Sequence, residues 1–411
     1  MARMARLTLS LLLLSLLGLT GCTSLPKMSP LPKQYTVYPQ AEPGTLQTAD
    51  GLTLYSQWWK PAQEPRAVII LAHGTAAHSG AYAPWAQYLT SQGYALFAFD
   101  MRGWGQSQGF GRRAFVRSHD EYVDDLYPAF DAVRKAYPGK PIFLQGESLG
   151  ASVVMQASIR GGFPVQGLIL NAPPVYINLK VGFGLPNWIA TPMVWMGGIP
   201  GEVFPNYPLF PMQYKFVESW IWSKAMFNKT MIKEIHQEPF FTHSPIAAAY
   251  VTALGKGAAL VREKAGDIKE PFICLQGDKD HLVSPASSEY LRLNTSSTNK
   301  TFKMYHGMSH TTLHDNGRGE VWTDIVTWLD AQVSTPRSES ADEAAQRQAL
   351  GKKLAAETPE QNFARLLAES NGTLKTWKPG SPWKKSTTTS SSPATALTTG
   401  MSNAGMSNPA L

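Results

Sequence analysis

The 411-residue sequence has little cysteine, with Cys22 and Cys274 as its only two, and no block of basic residues interleaved with aromatics. The formal net charge of +7 therefore does not indicate a groove that binds nucleic acid, and no nucleic-acid partner is expected. Histidines such as His119, His236 and His243 show no metal-ligand spacing and are expected to be structural. Length and composition instead indicate one large globular domain with extensions.

Long uninterrupted apolar runs are also scarce. Residues 7–19 are apolar but too short to span a bilayer comfortably. Residues 181–201 carry no charge, yet Pro186, Pro192 and several glycines interrupt them, which predicts a poor transmembrane helix.

The first 21 residues nevertheless have the order of a targeting signal. A basic start and the apolar run 7–19 lead to Leu19-Thr20-Gly21-Cys22, which resembles a bacterial lipobox. The resemblance implies cleavage after residue 21, several acyl chains on Cys22 and anchoring in the cell envelope. Thr23 favours the outer membrane, facing the periplasm, by similarity to Gram-negative lipoproteins. The alternative is an ordinary secretory peptide with an incidental cysteine.

Composition divides the remaining chain into four parts. Five prolines in residues 22–43 predict a lipidated, extended tether. Residues 44–334 form the predicted main domain, and residues 335–374 contain helix-forming side chains that predict a partly helical extension. Residues 375–411 become a Ser/Thr/Ala/Gly/Asn-rich tail that we expect to be disordered. With lipid on Cys22, Cys274 has no disulfide partner and is predicted to be a buried core thiol.

Strand-length apolar runs alternate with helix-length segments across the main domain. Residues 45–60 alternate around Asp50-Gly51 and predict a β-hairpin. This alternation predicts an α/β fold with a mostly parallel central sheet flanked by helices. The predicted later strands lie at 67–72, 94–100, 142–144, 167–170, 272–275 and 301–305, and predicted helices include 82–91, 119–137, 151–160 and 284–293.

The segment Gly146-Glu147-Ser148-Leu149-Gly150 lies between a predicted strand and a predicted helix. G-x-S-x-G in that context is typical of a sharp turn that lifts a nucleophilic serine clear of the sheet. Glycine is needed on both sides because side chains there would collide with the neighbouring strand and helix. The turn also aims the N–H of Leu149 at the same space, while Glu147 is expected to pack or hydrogen-bond beneath it.

A serine nucleophile needs a base and an orienting acid, which follow it in this order in such folds. Asp278 and Asp280 both follow the penultimate predicted strand. His306 and His310 follow the last one, with His314 close behind. Both loops leave the carboxyl ends of strands, where open α/β sheets place their sites. The residue pattern alone leaves both choices open.

Nearly a hundred residues between Asn171 and Ile268 break the strand–helix alternation and are crowded with aromatics. That length predicts an inserted helical cap, at about 174–266, over the sheet edge where Ser148 emerges. The aromatics are either the core of the cap or, in part, the lining of an acyl pocket or a membrane contact.

Over residues 44–333 the chain resembles the monoglyceride lipase and lysophospholipase branch of the α/β-hydrolase superfamily. His73-Gly74-Thr75 resembles the family's oxyanion loop, and residues 99–107, FDMRGWGQS, resemble the turn after its fourth strand. The resemblance assigns the acid to Asp280 and the base to His310. It implies that the N–H groups of Thr75 and Leu149 form the oxyanion hole.

This assignment implies an ester hydrolase that needs no metal or cofactor, with Ser148 attacking and His310 taking its proton. The aromatic cap and the lipid anchor favour a monoacyl lipid substrate, either a monoacylglycerol or a lysophospholipid. A prolyl-aminopeptidase-like peptidase is an alternative, with acidic cap residues available to hold a free amine, namely Glu202, Glu218, Glu234 and Glu238. A second alternative is a non-enzymatic envelope lipoprotein that uses the fold as a binding module.

Overall fold

An eight-stranded, mostly parallel sheet lies at the centre of the protein. The strands in chain order are β1 (Tyr35–Val37), β2 (Glu42–Gln47), β3 (Thr53–Trp59), β4 (Val68–Ala72), β5 (Ala95–Phe99), β6 (Ile142–Glu147), β7 (Gly167–Asn171), β8 (Phe272–Gly277), β9 (Lys300–Tyr305) and β10 (Lys375–Trp377). The computed structural model describes residues 26–178, 205–206, 222–226, 229, 232, 240, 246–333, 341–358, 361, 365, 368, 375–379 and 381.

The main sheet has the order β2-β3-β5-β4-β6-β7-β8-β9. Strands β2, β3 and β5 pair antiparallel, and every pairing from β5 to β9 is parallel. The predicted hairpin and the predicted fold class are both confirmed. Because the strands β4 to β9 run in one direction, the loops after them meet at one edge, called here the catalytic edge.

Helices cover both faces of this sheet. They are α1 (Ala83–Ser91), α2 (Asp120–Asp124), α3 (Leu126–Ala136), α4 (Leu149–Arg160), α5 (Ala248–Lys264), α6 (Ala286–Asn294), α7 (Arg318–Gln332) and α8 (Ala341–Ala356), with 3₁₀ turns at Ser79–Tyr82 and Ala265–Asp267. The single helix predicted over 119–137 is two helices. Pro128 has no N–H to donate to the carbonyl of Asp124, which explains the break between α2 and α3.

The continuous apolar strands are explained by burial on both faces. In β4, Val68, Ile70 and Ala72 belong to one core cluster, whereas Ile69 and Leu71 belong to the other. Helix α4 packs in the first cluster, and helices α1 and α7 pack in the second. Both faces of a central strand are therefore dry, as the run of apolar residues predicted.

The predicted core thiol has the expected environment. Cys274 lies in β8 and is completely buried, and its Sγ is 3.3 Å from the Oγ of Ser288. Burial raises the pKa of the thiol to about 12, so it stays protonated and unreactive at neutral pH.

The C-terminal part of the predicted cap segment lies in the main core. Helix α5 packs against α4, and its Tyr250, Ala253 and Val261 are buried in the same cluster. Of the segment between residues 178 and 246, the structure describes only 205–206, 222–226, 229, 232 and 240. Most of the predicted helical cap, with most of its aromatics, therefore lies outside the described residues, as do the predicted signal peptide and Cys22.

Packed structure begins closer to the N-terminus than the predicted tether implies. Tyr35, Val37 and Ala41 are buried, and the Tyr35 ring stacks on Tyr55 with centroids 4.8 Å apart. Prolines suggested an extended segment up to residue 43, but the alternating Tyr35 and Val37 give β1 an apolar face that packs on the body. Strand β1 pairs antiparallel with β10, which lies where the disordered tail was predicted to begin.

Candidate active site

Ser148 lies at the apex of the turn between β6 and α4. Its backbone has φ +53° and ψ −112°, a left-handed conformation that non-glycine residues rarely adopt. A Cβ on Gly146 would collide with the backbone of Gly150, and one on Gly150 would collide with the carbonyl of Ala72. The steric reason for the two glycines therefore holds in the structure. Ser148 is half-buried, and its N–H donates to the carbonyl of Asn171 at 2.9 Å.

Strained backbone of this kind costs on the order of 1–3 kcal/mol and persists only where the surroundings enforce it. Here the strand before Ser148, the helix after it and the Asn171 carbonyl at the end of β7 enforce it. The consequence is a serine hydroxyl held above the sheet at the catalytic edge.

The predicted acid and base are in contact. The Nδ1 of His310 lies 2.7 Å from the Oδ2 of Asp280, and both residues are buried. Asp280 also accepts hydrogen bonds from the Nε2 of Gln276 at 2.7 Å and from the N–H groups of Leu282 and Val283 at 2.8 and 2.9 Å. These donors fix the carboxylate, and the carboxylate orients the ring so that Nε2 is the nitrogen available as a base.

The electrostatics of His310 suit a base that must become positively charged. Burial by itself would lower the pKa of the imidazole. The charge and hydrogen bond of Asp280, with a contribution from Glu147, outweigh burial and raise the pKa of His310 above its ordinary value. The two carboxylates therefore favour the protonated, positively charged form of His310.

The alternative acid and base also pair with each other, but at the surface. The Nδ1 of His306 is 2.7 Å from the Oδ2 of Asp278, and Asp278 accepts the N–H of Gly307 at 2.8 Å. The His306 side chain is 93% exposed, against 5% for His310. The structure thus sorts four of the five candidates into one buried pair and one surface pair, while the fifth, His314, lies 3.4 Å from Glu147.

The predicted oxyanion loop lies directly beside the turn that carries Ser148. A Cβ on Gly74 would lie 3.8 Å from the Cβ of Ser148. The Ala77 N–H donates to the Gly74 carbonyl at 3.2 Å, and Ala76 has φ +63°, so residues 74–77 form a tight turn around Thr75. The hydroxyl of Thr75 hydrogen-bonds the hydroxyl of Tyr250 on α5.

His73 shapes this loop. Its Nδ1 donates to the Gly74 carbonyl at 2.8 Å, and its Nε2 accepts the N–H of Met101 at 3.0 Å. Burial lowers the pKa of His73 to about 4, so the ring is neutral, as this bonding pattern requires. Both ring nitrogens are occupied by backbone, which leaves neither to act as a base.

Leu149 supplies the second predicted oxyanion donor. It is the first residue of α4, and first-turn N–H groups have no acceptor within their own helix. The positive end of the helix dipole is at the same place, which favours negative charge beside Ser148. Leu149 and the loop that contains Thr75 therefore both adjoin Ser148, which is where the predicted oxyanion hole requires them.

Part of the cap segment contacts the loop that carries His310. The N–H and hydroxyl of Thr311 both donate to the carbonyl of Ala225, at 3.0 and 3.1 Å, and the Ser309 hydroxyl donates to the carbonyl of Lys224 at 2.9 Å. The residues on both sides of His310 are thus hydrogen-bonded to the segment 222–226.

Sequence reasoning missed several supporting residues. Asn171, Tyr250 and Tyr82, whose hydroxyl donates to Glu147, come from segments far from the motifs, and no local pattern marks them. Gln276 directly follows the predicted strand 272–275, so its position four residues before Asp280 was a usable signal.

A serine raised on a strained strand-to-helix turn at the carboxyl edge of a parallel sheet is the arrangement found in α/β-hydrolases. The protein has that fold and presents its serine in that way. A profile of the serine aminopeptidase family, S33, matches residues 63–317, more than half of the chain. The chain belongs to this family.

Known proteins that match most of the chain, and not only its motifs, agree with this assignment. Human monoglyceride lipase is 30% identical over 294 residues, which cover 71% of this chain and 91% of the relative. A monoacylglycerol lipase of Mycolicibacterium smegmatis is 25% identical over 280 residues, covering 68% and 93%. A solved structure of a soluble Saccharomyces cerevisiae monoglyceride lipase with a substrate analogue has a TM-score of 0.61 at 20% identity, covering 75% of this chain and 100% of that one. The sequence relatives support an α/β-hydrolase of the monoglyceride lipase type, and the solved structure supports the fold.

Proposed function

We propose that the protein hydrolyses carboxylic esters of monoacyl lipids through an acyl-enzyme on Ser148. The observation that carries the proposal is the buried pair of His310 and Asp280, with 2.7 Å between Nδ1 and Oδ2, at the sheet edge where Ser148 emerges. A buried base held by a fully hydrogen-bonded carboxylate is what a serine nucleophile requires.

The proposed reaction uses only groups of this chain. Ser148 Oγ attacks the ester carbonyl while His310 Nε2 takes the proton of the serine hydroxyl. The oxyanion that forms accepts hydrogen bonds from the N–H groups of Thr75 and Leu149. One such donor typically contributes about 3 kcal/mol to the transition state. His310 then protonates the leaving alcohol, and a water molecule repeats the attack on the acyl-enzyme with His310 again as base.

An apolar cluster beside the site supports an acyl-chain substrate. Trp222, Ala225 and Met226 of the cap segment are buried with Ala77 of the oxyanion loop, and Leu282 packs against them. Ala77 is two residues from Thr75, and Leu282 donates its N–H to Asp280. The cap segment therefore packs apolar side chains against the loops of both functional groups, which supports an acyl chain as the group bound beside them.

Fatty-acid release by protein purified from Thr23 onwards tests the proposal. Monoacylglycerols, lysophospholipids and short p-nitrophenyl esters are compared, with Ser148→Ala as the blank. Release from a monoacyl lipid, absent in Ser148→Ala, is expected and identifies the head group. Turnover of short esters alone would contradict the acyl-chain assignment. Trp222→Ala is expected to reduce turnover of long-chain esters more than that of short ones.

A peptidase remains the second candidate because the matching family profile is described as a serine aminopeptidase. Glu202, Glu218, Glu234 and Glu238, which would hold a free amine, lie outside the described residues. Cleavage of proline β-naphthylamide by wild type and not by Ser148→Ala would favour this candidate. Failure of a fluorophosphonate to label Ser148 would instead favour the binding module.

We also propose that Cys22 is lipidated and that the catalytic edge faces the membrane. Ser29 donates its N–H to the carbonyl of Gly109 at 2.8 Å, and Gly111 donates to the carbonyl of Lys27 at 2.9 Å. Gly111 also lies against Asn206 of the cap segment, and its loop follows the carboxyl end of β5. The described chain therefore begins at the catalytic edge.

Three residues separate Cys22 from Pro26, so the anchor would lie within about 15 Å of this edge. Among the described residues, no helix is long and apolar enough to cross a membrane. A lipid on Cys22, in the outer membrane by analogy with Gram-negative lipoproteins, is the proposed attachment.

Mass spectrometry of protein from a Gram-negative host tests the anchor. A mass for acylated Cys22, lost together with membrane retention in Cys22→Ser, is expected, and a free thiol would contradict it. Orientation is tested on vesicles that contain a quencher in their head groups, with fluorophores on Lys279→Cys and Lys135→Cys. Both lysines are exposed, one after β8 and one before β6, at opposite edges of the sheet. Stronger quenching at position 279 is expected, and equal quenching would contradict the orientation.

A further inference from the structure

We propose that Glu147 is a positioning residue that acts on both halves of the site, holding the oxyanion loop through Tyr82 and stabilising the protonated form of His310 by its charge. This inference rests on Ser148 and His310 acting as proposed above, and it gives a role to the residue before the nucleophile that packing alone does not.

The first arm is a chain of hydrogen bonds. The hydroxyl of Tyr82 donates to the Oε2 of Glu147 at 2.7 Å. The same hydroxyl accepts the N–H of Gly74 at 3.1 Å. Gly74 immediately precedes Thr75 and lies beside Ser148, so this chain connects the residue before the nucleophile to the loop that carries the second oxyanion donor.

The direction of these bonds makes the Tyr82 hydroxyl a relay in the sense of a hydrogen-bonding link, which donates to Glu147 and accepts from the N–H of Gly74. The hydroxyl can donate its proton only to an acceptor, and Glu147 supplies one. With its proton so placed, the hydroxyl oxygen faces the Gly74 N–H with a lone pair. The orientation of Gly74, and with it the direction of the Thr75 N–H, is therefore coupled to an acceptor at position 147.

The second arm is electrostatic. Glu147 is 3% exposed, and its Oε2 lies 3.4 Å from the Nε2 of His314, whose ring packs edge-on against Tyr82 with centroids 4.7 Å apart. Within the described part of the chain, its Oε1 has no hydrogen-bond partner. Burying a carboxylate with one unsatisfied oxygen is costly, which argues that its charge has a use.

The titratable groups that face Glu147 are His314, Tyr82, His310 and, beneath the oxyanion loop, His73. Burial would raise the pKa of Glu147, but His314, Tyr82 and His310 together lower it below its ordinary value. Glu147 is therefore an anion at neutral pH, and it is the second carboxylate, after Asp280, that raises the pKa of His310.

Two substitutions separate the two arms. Glu147→Gln removes the charge but keeps an oxygen that can accept the Tyr82 hydroxyl. Tyr82→Phe removes the relay but keeps the charge. The measurement is the rate of fluorophosphonate labelling of Ser148 as a function of pH, which requires a neutral His310 and an oxyanion hole but no lipid substrate.

In Glu147→Gln, the acidic midpoint of labelling is expected to move to lower pH, because His310 loses one stabilising charge. In Tyr82→Phe, labelling is expected to slow by roughly tenfold at every pH with the midpoint unchanged. An unchanged midpoint in Glu147→Gln would overturn the electrostatic arm, and an unchanged rate in Tyr82→Phe would overturn the relay.

Controls keep these outcomes distinct from misfolding and from failure of the proposed function. Far-UV circular dichroism and thermal midpoints establish that each variant folds, and Glu147→Asp, which restores the charge, is expected to return the acidic midpoint toward wild type. If wild type is not labelled at Ser148 at all, the proposed function fails. If wild type is labelled and both variants match it, only the role of Glu147 fails.

Discussion

Two aspartate–histidine pairs lie side by side after β8 and β9, and their contact distances are equal. The Nδ1–Oδ2 distance is 2.7 Å both for His310 with Asp280 and for His306 with Asp278. Their surroundings are opposite, since the His310 side chain is 5% exposed and that of His306 is 93% exposed. The contact distance therefore does not distinguish the two pairs, whereas their exposure to solvent does.

Exposure to solvent determines how strongly the two side chains of each pair attract and orient each other. In the buried pair, water does not screen the attraction, and Gln276, Leu282 and Val283 hold the carboxylate in one orientation. In the exposed pair, water competes for both partners, and the contact with Asp278 holds a histidine that is 93% exposed only weakly. The comparison predicts that matched substitutions in the two pairs have very different effects.

The largest difference is expected between Asp280→Asn and Asp278→Asn. Removing the Asp280 charge leaves His310 without its orienting partner, and kcat is expected to fall on the order of 10⁴-fold. Asp278→Asn is expected to leave kcat unchanged. Steady-state ester hydrolysis by both variants measures this, and a large loss in Asp278→Asn would reverse our assignment of the acid.

A smaller effect is expected from Gln276→Leu, which removes one donor to Asp280 at similar volume. The loss of a hydrogen bond to a charged group is expected to lower kcat by about tenfold. Hydrolysis rates combined with a thermal midpoint check this. A change in stability with kcat intact would mean that Gln276 supports the fold rather than the carboxylate.

The pH profile gives the next comparison. His310 must be neutral to accept the Ser148 proton, and its raised pKa means that activity disappears as pH falls through a midpoint above the ordinary histidine value of about 6.5. His306→Ala is expected to leave this midpoint unchanged. A profile of kcat/KM against pH for both proteins decides the point, and a midpoint that moves with His306 would contradict it.

The smallest effect is expected from His306→Ala on stability. The pair with Asp278 is exposed, and exposed ion pairs contribute little to folding. Urea denaturation of wild type and His306→Ala is expected to give the same midpoint. A clear loss of stability would show that the exposed pair has a structural role.

Much of the fold followed from local pattern. The alternation around Asp50-Gly51 predicted the β2–β3 hairpin, and the short apolar runs predicted β4 to β9, because burial on both faces demands continuous apolar strands. The break at Pro128 and the burial of Tyr35 were not predicted. The tether was assigned from its prolines, and whether a tyrosine is buried depends on a partner distant in the chain, here Tyr55.

By itself, the sequence determined the nucleophile motif, the order of acid and base, and a short set of candidates for each. Those are properties of local spacing and of the strands that carry the loops. The resemblance assigned the acid to Asp280 and the base to His310. Only the tertiary structure decided that these two are buried together while Asp278 and His306 pair at the surface, because burial depends on the whole packed chain. The link from Glu147 through Tyr82 to Gly74 likewise exists only after folding, since its residues come from different segments.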